Sequence, residues 1–202
     1  MTLSFSKFHG AGNDFIIIAA DSLMHPLSES TIRTLCDRHF GIGADGLILA
    51  SMLDDGTLGM RYFNADGRES TLCGNGGRCI AAWADLEHRA GPALEIRAAD
   101  GIHHSLILSR RDPHWQVRLR MQDTPLPRQQ AGGFFIHTGS PHHVTLVDDT
   151  SAINVQAEGA RIRYSDHYLP DGTNVDFLED RGRHLQLRTY ERGVEAETLA
   201  CG

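Results

Sequence analysis

The residues best placed for chemistry lie in the run RYFNADGRESTLCGNGGRC, from Arg61 to Cys79. A strand-like stretch ends in Asn64-Ala65-Asp66-Gly67. A polar turn follows, then Cys73, then Gly74-Asn75-Gly76-Gly77, then a helix-like stretch beginning near Arg78. The first N–H groups of a helix have no partner within it, and the helix dipole favours negative charge at that end. A cysteine at such a place is favoured as a thiolate. The same N–H groups would hold a substrate carboxylate.

The pattern occurs twice. Leu187–Gly202, LRTYERGVEAETLACG, repeats the order of arginine, aromatic residue, glutamate, Thr-Leu and Cys-Gly, ending in Cys201 and Gly202. Two earlier stretches pair in the same order. FHGAGNDFI, from Phe8, resembles IHTGSPHHV, from Ile136, and GADGLI, from Gly43, resembles GTNVDF, from Gly172. Three matches at a near-constant offset indicate an internal duplication. Two cysteines at matching places in two halves suggest a cleft with one thiol, Cys73 or Cys201, on each side.

Several chemistries use thiols. A zinc site wants three or four clustered ligands, often with a short Cys-x-x-Cys spacing. Cys73 and Cys79 lack that spacing, and a metal would have to recruit His142 or His143. A Cys–His nucleophile with His142 leaves the second cysteine without a purpose. Stereoinversion at an acidic carbon uses both: a thiolate removes a proton from one face and a thiol returns one to the other. The negative charge that develops must be met by oriented donors in a dry pocket, which two glycine loops at helix N-termini would supply. No nicotinamide or phosphate fingerprint is present.

The elements that must position these groups read as α/β. Phe15–Ala20 is an apolar run bounded by polar turns, hence a buried strand, with Asn13 at the bend that joins it to a strand over Leu3–Phe8. Ser28 caps a helix over Glu29–His39 whose face carries Ile32, Leu35 and Cys36. Leu47–Leu53 and Leu58–Phe63 read as strands around Asp54-Asp55-Gly56. The pattern over Gly76–His88 suits a helix packed on a sheet, with Cys79 inside its apolar face; Cys36 and Cys79 therefore read as core thiols. Strands follow at Leu94–Ala98, His103–Leu108 and Trp115–Arg120. Met121–Gly133, holding Pro125 and Pro127, reads as a linker. The second half has strands at Phe134–His137, Val144–Val147, Val175–Leu178 and Leu185–Tyr190, and a poor helix from Asp149 to Gly159. The expected lobes are residues 1–122, carrying Cys73, and 133–202, carrying Cys201. The second copy stops just after Cys201, so we expect these 202 residues to be part of a longer chain and to be inactive alone; a smaller second lobe is the alternative.

Composition narrows the class. The net charge of −7 disfavours a nucleic-acid binder, which would present a basic face. No apolar run is long enough to span a bilayer, and the N-terminus lacks a secretory pattern. Four cysteines are too few for a disulfide-built fold of this size. The expected compartment is the cytoplasm.

The stretches FHGAGNDF, FGIGADG, RYFNADG, CGNGGRC, GSPHHV, DGTNVDF and ERGVEAETLACG together resemble the diaminopimelate epimerase family. That resemblance implies two pseudo-symmetric lobes from a duplication, each a mixed sheet wrapped around a central helix. It implies cofactor-independent interconversion of LL- and meso-diaminopimelate in lysine and cell-wall precursor synthesis, with no metal, and it suggests a homodimer. Cys73 and Cys201 would be the acid/base thiols. Gly74, Asn75 and Gly202 would begin the loops that hold the reacting carboxylate. Asn13, Asn64, Asn174 and Arg192 would bind polar substrate groups, and Glu191, with His142 nearby, the reacting amino group. Ser140 and Gly46 depart from common family residues and are expected to tune substrate choice. The alternatives are a histidine- or proline-type racemase of the same superfamily, or an inactive or binding-only homologue.

Overall fold

The computed structural model describes residues 3–200, which divide into two compact units at Met121/Gln122. Cys201 and Gly202 lie outside the described residues, so the second thiol and its glycine have no structural account.

Unit 1 runs β1 (Ser6–Gly10), β2 (Asn13–Ala19), α1 (Glu29–Cys36), β3 (Gly46–Met52), β4 (Leu58–Asn64), β5 (Glu69–Ser70), α2 (Gly74–Leu86), β6 (Ala93–Ala98), β7 (Gly101–Arg111) and β8 (His114–Leu119). Its mixed sheet has the order β1-β2-β3-β4-β6-β7-β8, with β5 on β4. Helix α2 touches every strand of that path, so the sheet wraps around it. β2 and β3 are covered on both faces, which explains their unbroken apolar runs. Phe15, Ile17, Ile48, Met60 and Tyr62 face α2 together with Ile80 and Trp83. Ile16, Ile18, Leu47 and Leu49 pack on the other side against Ile32 and Cys36 of α1.

Two boundaries differ from the sequence reading. α1 stops at Cys36 because Asp37 is extended and its carboxylate accepts from the N–H groups of His39 (2.8 Å) and Phe40 (2.7 Å), a local alternative to another helical turn. α2 begins at Gly74, earlier than expected, so the glycines are its first turn and not a loop before it. Their reason is proximity. A Cβ on Gly77 would lie 2.6 Å from Leu119 Cδ2, and one on Gly76 3.1 Å from Met60 Cε. Each glycine costs the helix about 1 kcal/mol relative to alanine; the close seating of α2 in the sheet outweighs it.

Unit 2 runs β9 (Arg128–Gln130), β10 (Gly133–His137), β11 (Pro141–Leu146), α3 (Val155–Arg163), β12 (Asn174–Asp180), β13 (Leu185–Glu191) and β14 (Ala196–Thr198). The sheet order is β14-β13-β12-β11-β10-β9, with β11 and β12 parallel. β9 lies inside the stretch read as a linker. Helix α3 joins two parallel strands as α1 does in unit 1, and packs Val155 against Val175, Phe177 and Tyr190. Asn154 caps it, accepting from Ala157 N at 3.1 Å, so the helix starts later than the sequence reading placed it.

The two sheets share one register. Phe15 faces Gly46 and Ile48 faces Tyr62 in unit 1; His142 faces Asn174 and Asp176 faces Thr189 in unit 2. The chain is a duplicated α/β protein with mixed sheets.

Candidate active site

In unit 1 the site residues gather where β2 and β3 begin and β4 ends. The two-residue turn Ala11-Gly12 has φ of 53° and 95°, the geometry of a tight hairpin, and delivers Asn13 at the first position of β2. Asn13 is 2% exposed. Its Nδ2 donates to Asp45 Oδ2 at 2.9 Å, which aims Oδ1 at the start of α2. There Oδ1 accepts from Cys73 Sγ at 3.5 Å and from Asn75 Nδ2 at 3.2 Å.

Cys73 is the N-cap residue of α2, half-buried, with its carbonyl accepting from Gly77 N at 2.8 Å. Its sulfur therefore sits beside the first turn of the helix, whose N–H groups and dipole favour an anion. Gly74 and Asn75 are buried in that turn. Asn64 closes β4 opposite Gly46 and accepts Gly67 N–H at its carbonyl, 2.9 Å. The other two described cysteines are different. Burial pushes the Cys79 thiol up to about 12 and the Cys36 thiol up to about 11. They are core groups, as the helical pattern predicts.

Behind Asn13 stands an ionic brace that sequence reasoning missed. Arg38 holds Asp14 through two nitrogens, at 2.8 and 3.2 Å, and Asp45 at 2.7 Å; Lys7 pairs with Asp14 at 2.8 Å. Burial would raise the Asp14 carboxyl, but hydrogen bonds from Arg38 and Lys7 hold it well below the usual carboxylate range. Asp14 and Asp45 sit inside the motifs GAGNDF and GIGADG, so the signal was present as motif membership without a role.

In unit 2 the corresponding corner holds His142, Asn174, Glu191 and Arg192. His142 Nδ1 lies 2.7 Å from Asp176 Oδ2, and Thr189 Oγ1 donates to Asp176 Oδ1 at 2.6 Å. Asn174 Oδ1 accepts the Arg192 N–H at 2.8 Å. Asn174 Nδ2 donates to Ser140 Oγ at 2.8 Å and the Pro141 carbonyl at 3.1 Å, and lies 3.4 Å from His142 Nε2. Glu191 ends β13, half-buried. Arg192 donates through its side chain to the Asp171 carbonyl at 3.3 Å, and burial lowers its pKa from the ordinary arginine value. The two acidic residues that follow it pair with other arginines: Glu195 with Arg163 at 3.0 Å and Glu197 with Arg188 at 2.7 Å.

The structure thus groups Asn13, Asn64, Cys73, Gly74 and Asn75 in one unit and His142, Asn174, Glu191 and Arg192 in the other. Gly46 has a steric reason: a Cβ there would lie 2.5 Å from Tyr62 Cε2 and 2.6 Å from the Phe63 carbonyl oxygen. Among the described residues no three His, Cys, Asp or Glu side chains gather to hold a metal ion, and no helix is long and apolar enough to cross a membrane.

This duplicated arrangement of mixed sheets and helices has solved counterparts. A phenazine biosynthesis protein from Bacillus anthracis aligns over 99% of this chain and 75% of its own, with a TM-score of 0.66 at 16% identity. A hydroxyproline epimerase from Agrobacterium vitis aligns over 92% of this chain and 69% of its own, with a TM-score of 0.62 at 12% identity. At those identities the likeness is one of fold.

Sequence narrows it further. The family model for diaminopimelate epimerase matches residues 5–113 and 134–202. A diaminopimelate epimerase from Flavobacterium psychrophilum is 42% identical over 97% of this chain and 76% of its own length. One from Chlorobaculum tepidum is 41% identical over 96% of this chain and 77% of its own length. The chain belongs to the diaminopimelate epimerase family and is an isomerase of the epimerase type.

Proposed function

We propose that this site interconverts LL- and meso-diaminopimelate by proton transfer between two thiols, without a cofactor. Cys73 as thiolate takes the α-proton: the Cα–H bond breaks, an S–H bond forms, and the electron pair delocalises into the substrate carboxylate. The Cys201 thiol gives its proton to the opposite face and is left as thiolate. The reverse reaction exchanges the two roles. The N–H groups that open α2, with Asn75, meet the carboxylate as its charge grows, the term that lowers such barriers most. Asn13, Asn64, Asn174 and Arg192 hold the polar groups of the substrate. Arg192, with its forked donors, suits a carboxylate. Glu191 and His142 hold the reacting amino group.

The observation that carries this reading is the placing of Cys73. It is an N-cap thiol beside a glycine-built helix start, with Asn13 Oδ1 3.5 Å from its sulfur, while the other two described cysteines are buried. The test is α-proton exchange in deuterated water with the complete gene product, its mass confirmed. Diaminopimelate, proline and histidine are offered separately. Exchange with diaminopimelate alone supports the reading, and exchange with proline or histidine alone replaces it by the racemase alternative. A stable acyl-enzyme without exchange would mean a cysteine hydrolase.

A further inference from the structure

Three positions on the two sheets are related by register but not by chemistry. In unit 1 they are Phe15, Ile48 and Tyr62, an apolar group whose two rings meet edge-on at 5.9 Å. In unit 2 they are His142, Asp176 and Thr189, joined by hydrogen bonds and exposed by only 8%, 4% and 3%. Burying a carboxylate and an imidazole where the sister unit buries an isoleucine and a phenylalanine is unfavourable unless the polar groups are fully paired. They are paired, and the pairing fixes where the imidazole proton is.

The Asn174 amide is oriented by a group that can only donate. The backbone N–H of Arg192 lies 2.8 Å from one end of the Asn174 amide, so that end is the oxygen. The amide nitrogen therefore faces Ser140, the Pro141 carbonyl and His142 Nε2. Its two N–H groups serve the nearer Ser140 oxygen and Pro141 carbonyl, which leaves the lone pair position of Nε2, 3.4 Å away, unclaimed by Asn174. The tautomer is set at the other ring nitrogen: the Asp176 carboxylate oxygen 2.7 Å from Nδ1 can only accept, so in the neutral ring the proton sits on Nδ1 and Nε2 carries none, and the second Asp176 oxygen is held by Thr189.

We propose that Asp176, braced by Thr189, is a positioning residue that holds His142 as its Nδ1–H tautomer, with Nε2 presented as an acceptor for the ammonium group of an amino-acid substrate. The substrate role rests on the epimerase reading above; the tautomer does not. Carboxylates that set an imidazole tautomer in this way have large effects on turnover when replaced by the amide. Unit 1 needs no such group at this position and fills it with core.

The experiment is nitrogen-15 spectroscopy of the His142 ring in the full-length protein at a pH where the ring is neutral, alongside α-proton exchange. The wild type is expected to show Nδ1 protonated and Nε2 unprotonated. Asp176→Asn is expected to move the proton to Nε2 and to slow exchange on the order of 100-fold or more. A wild-type ring protonated on Nε2 overturns the proposal, as does wild-type exchange in Asp176→Asn. Should that variant not fold, the wild-type spectrum still decides the tautomer, and Thr189→Val supplies the exchange measurement, slower exchange supporting the proposal and an unchanged rate overturning it. Absence of exchange in the wild type itself would count against the epimerase reading and leave the ring spectrum to be read separately.

Discussion

Gly159→Ala tests how unit 2 holds its site, because two effects oppose each other there and the structure says which wins. Gly159 lies in the middle of α3, where alanine is favoured by about 1 kcal/mol. Yet an ideal Cβ would fall 2.4 Å from Tyr190 Cβ, 2.6 Å from Cγ and 2.9 Å from Cδ2. Carbon atoms prefer separations of about 3.5–4.0 Å. The obstructing atoms are the root of a side chain that is 2% exposed and sits on β13, paired with Val175. Tyr190 cannot swing away, so the helix must lift by about 1 Å. Overpacking of this kind costs about 1–3 kcal/mol, and more where both elements are fixed. With the steric cost in the upper part of that range, about 2–3 kcal/mol, the expected net result is a loss of about 1–2 kcal/mol once the propensity gain of about 1 kcal/mol is counted. Tyr190 precedes Glu191 and Arg192, so the strain also reaches the site. Urea unfolding followed by circular dichroism is the assay. Gly91→Ala, where nothing lies within 4 Å and φ is ordinary, is the control and should stay within about 0.5 kcal/mol of wild type. A Gly159→Ala protein as stable as wild type, or more so, would refute the packing argument.

Further outcomes follow from the unit 1 geometry. Alkylation of the native protein should modify Cys73 ahead of Cys36 and Cys79, which are 3% and 4% exposed and become labelled only on unfolding; equal rates at the three, read by peptide mapping, would contradict the assignment. The Asp14 carboxyl is depressed in the folded state, so it stabilises the fold above its unfolded value of about 3.8 and that contribution disappears as pH falls through the folded pKa. Wild type should therefore lose more stability than Asp14→Asn between about pH 5 and pH 2, measured by urea midpoints; parallel slopes would remove the brace from the account.

Much of the architecture was legible because it rests on patterns that local physics imposes. β2 and β3 read as buried strands since both faces are covered, and the duplication was visible because the matching motifs mark matching corners of two sheets. What was illegible depended on distant partners. The glycines after Cys73 read as a loop by propensity, yet they form the first turn of α2, where a Cβ on Gly77 or Gly76 would press on the side-chain ends of Leu119 or Met60. Short strands such as β9 and β14 carry too few residues for a period to show. The candidate site residues stood out as motif members, whereas their supports sat in the same motifs without a role. Asp45 acts on Asn13 across the sheet, and Asp176 reaches His142 from a neighbouring strand. Neither relation has any signature along the chain.

If the Cys73 sulfur carries the proton, removing it must slow exchange at the α-carbon. The direct measurement is deuterium incorporation at the α-carbon of diaminopimelate by the complete gene product and its folded Cys73→Ala variant. Loss of an acid/base group that moves the proton in the transition state should slow exchange by at least about 10²–10⁴-fold. Exchange at the wild-type rate in Cys73→Ala would contradict it.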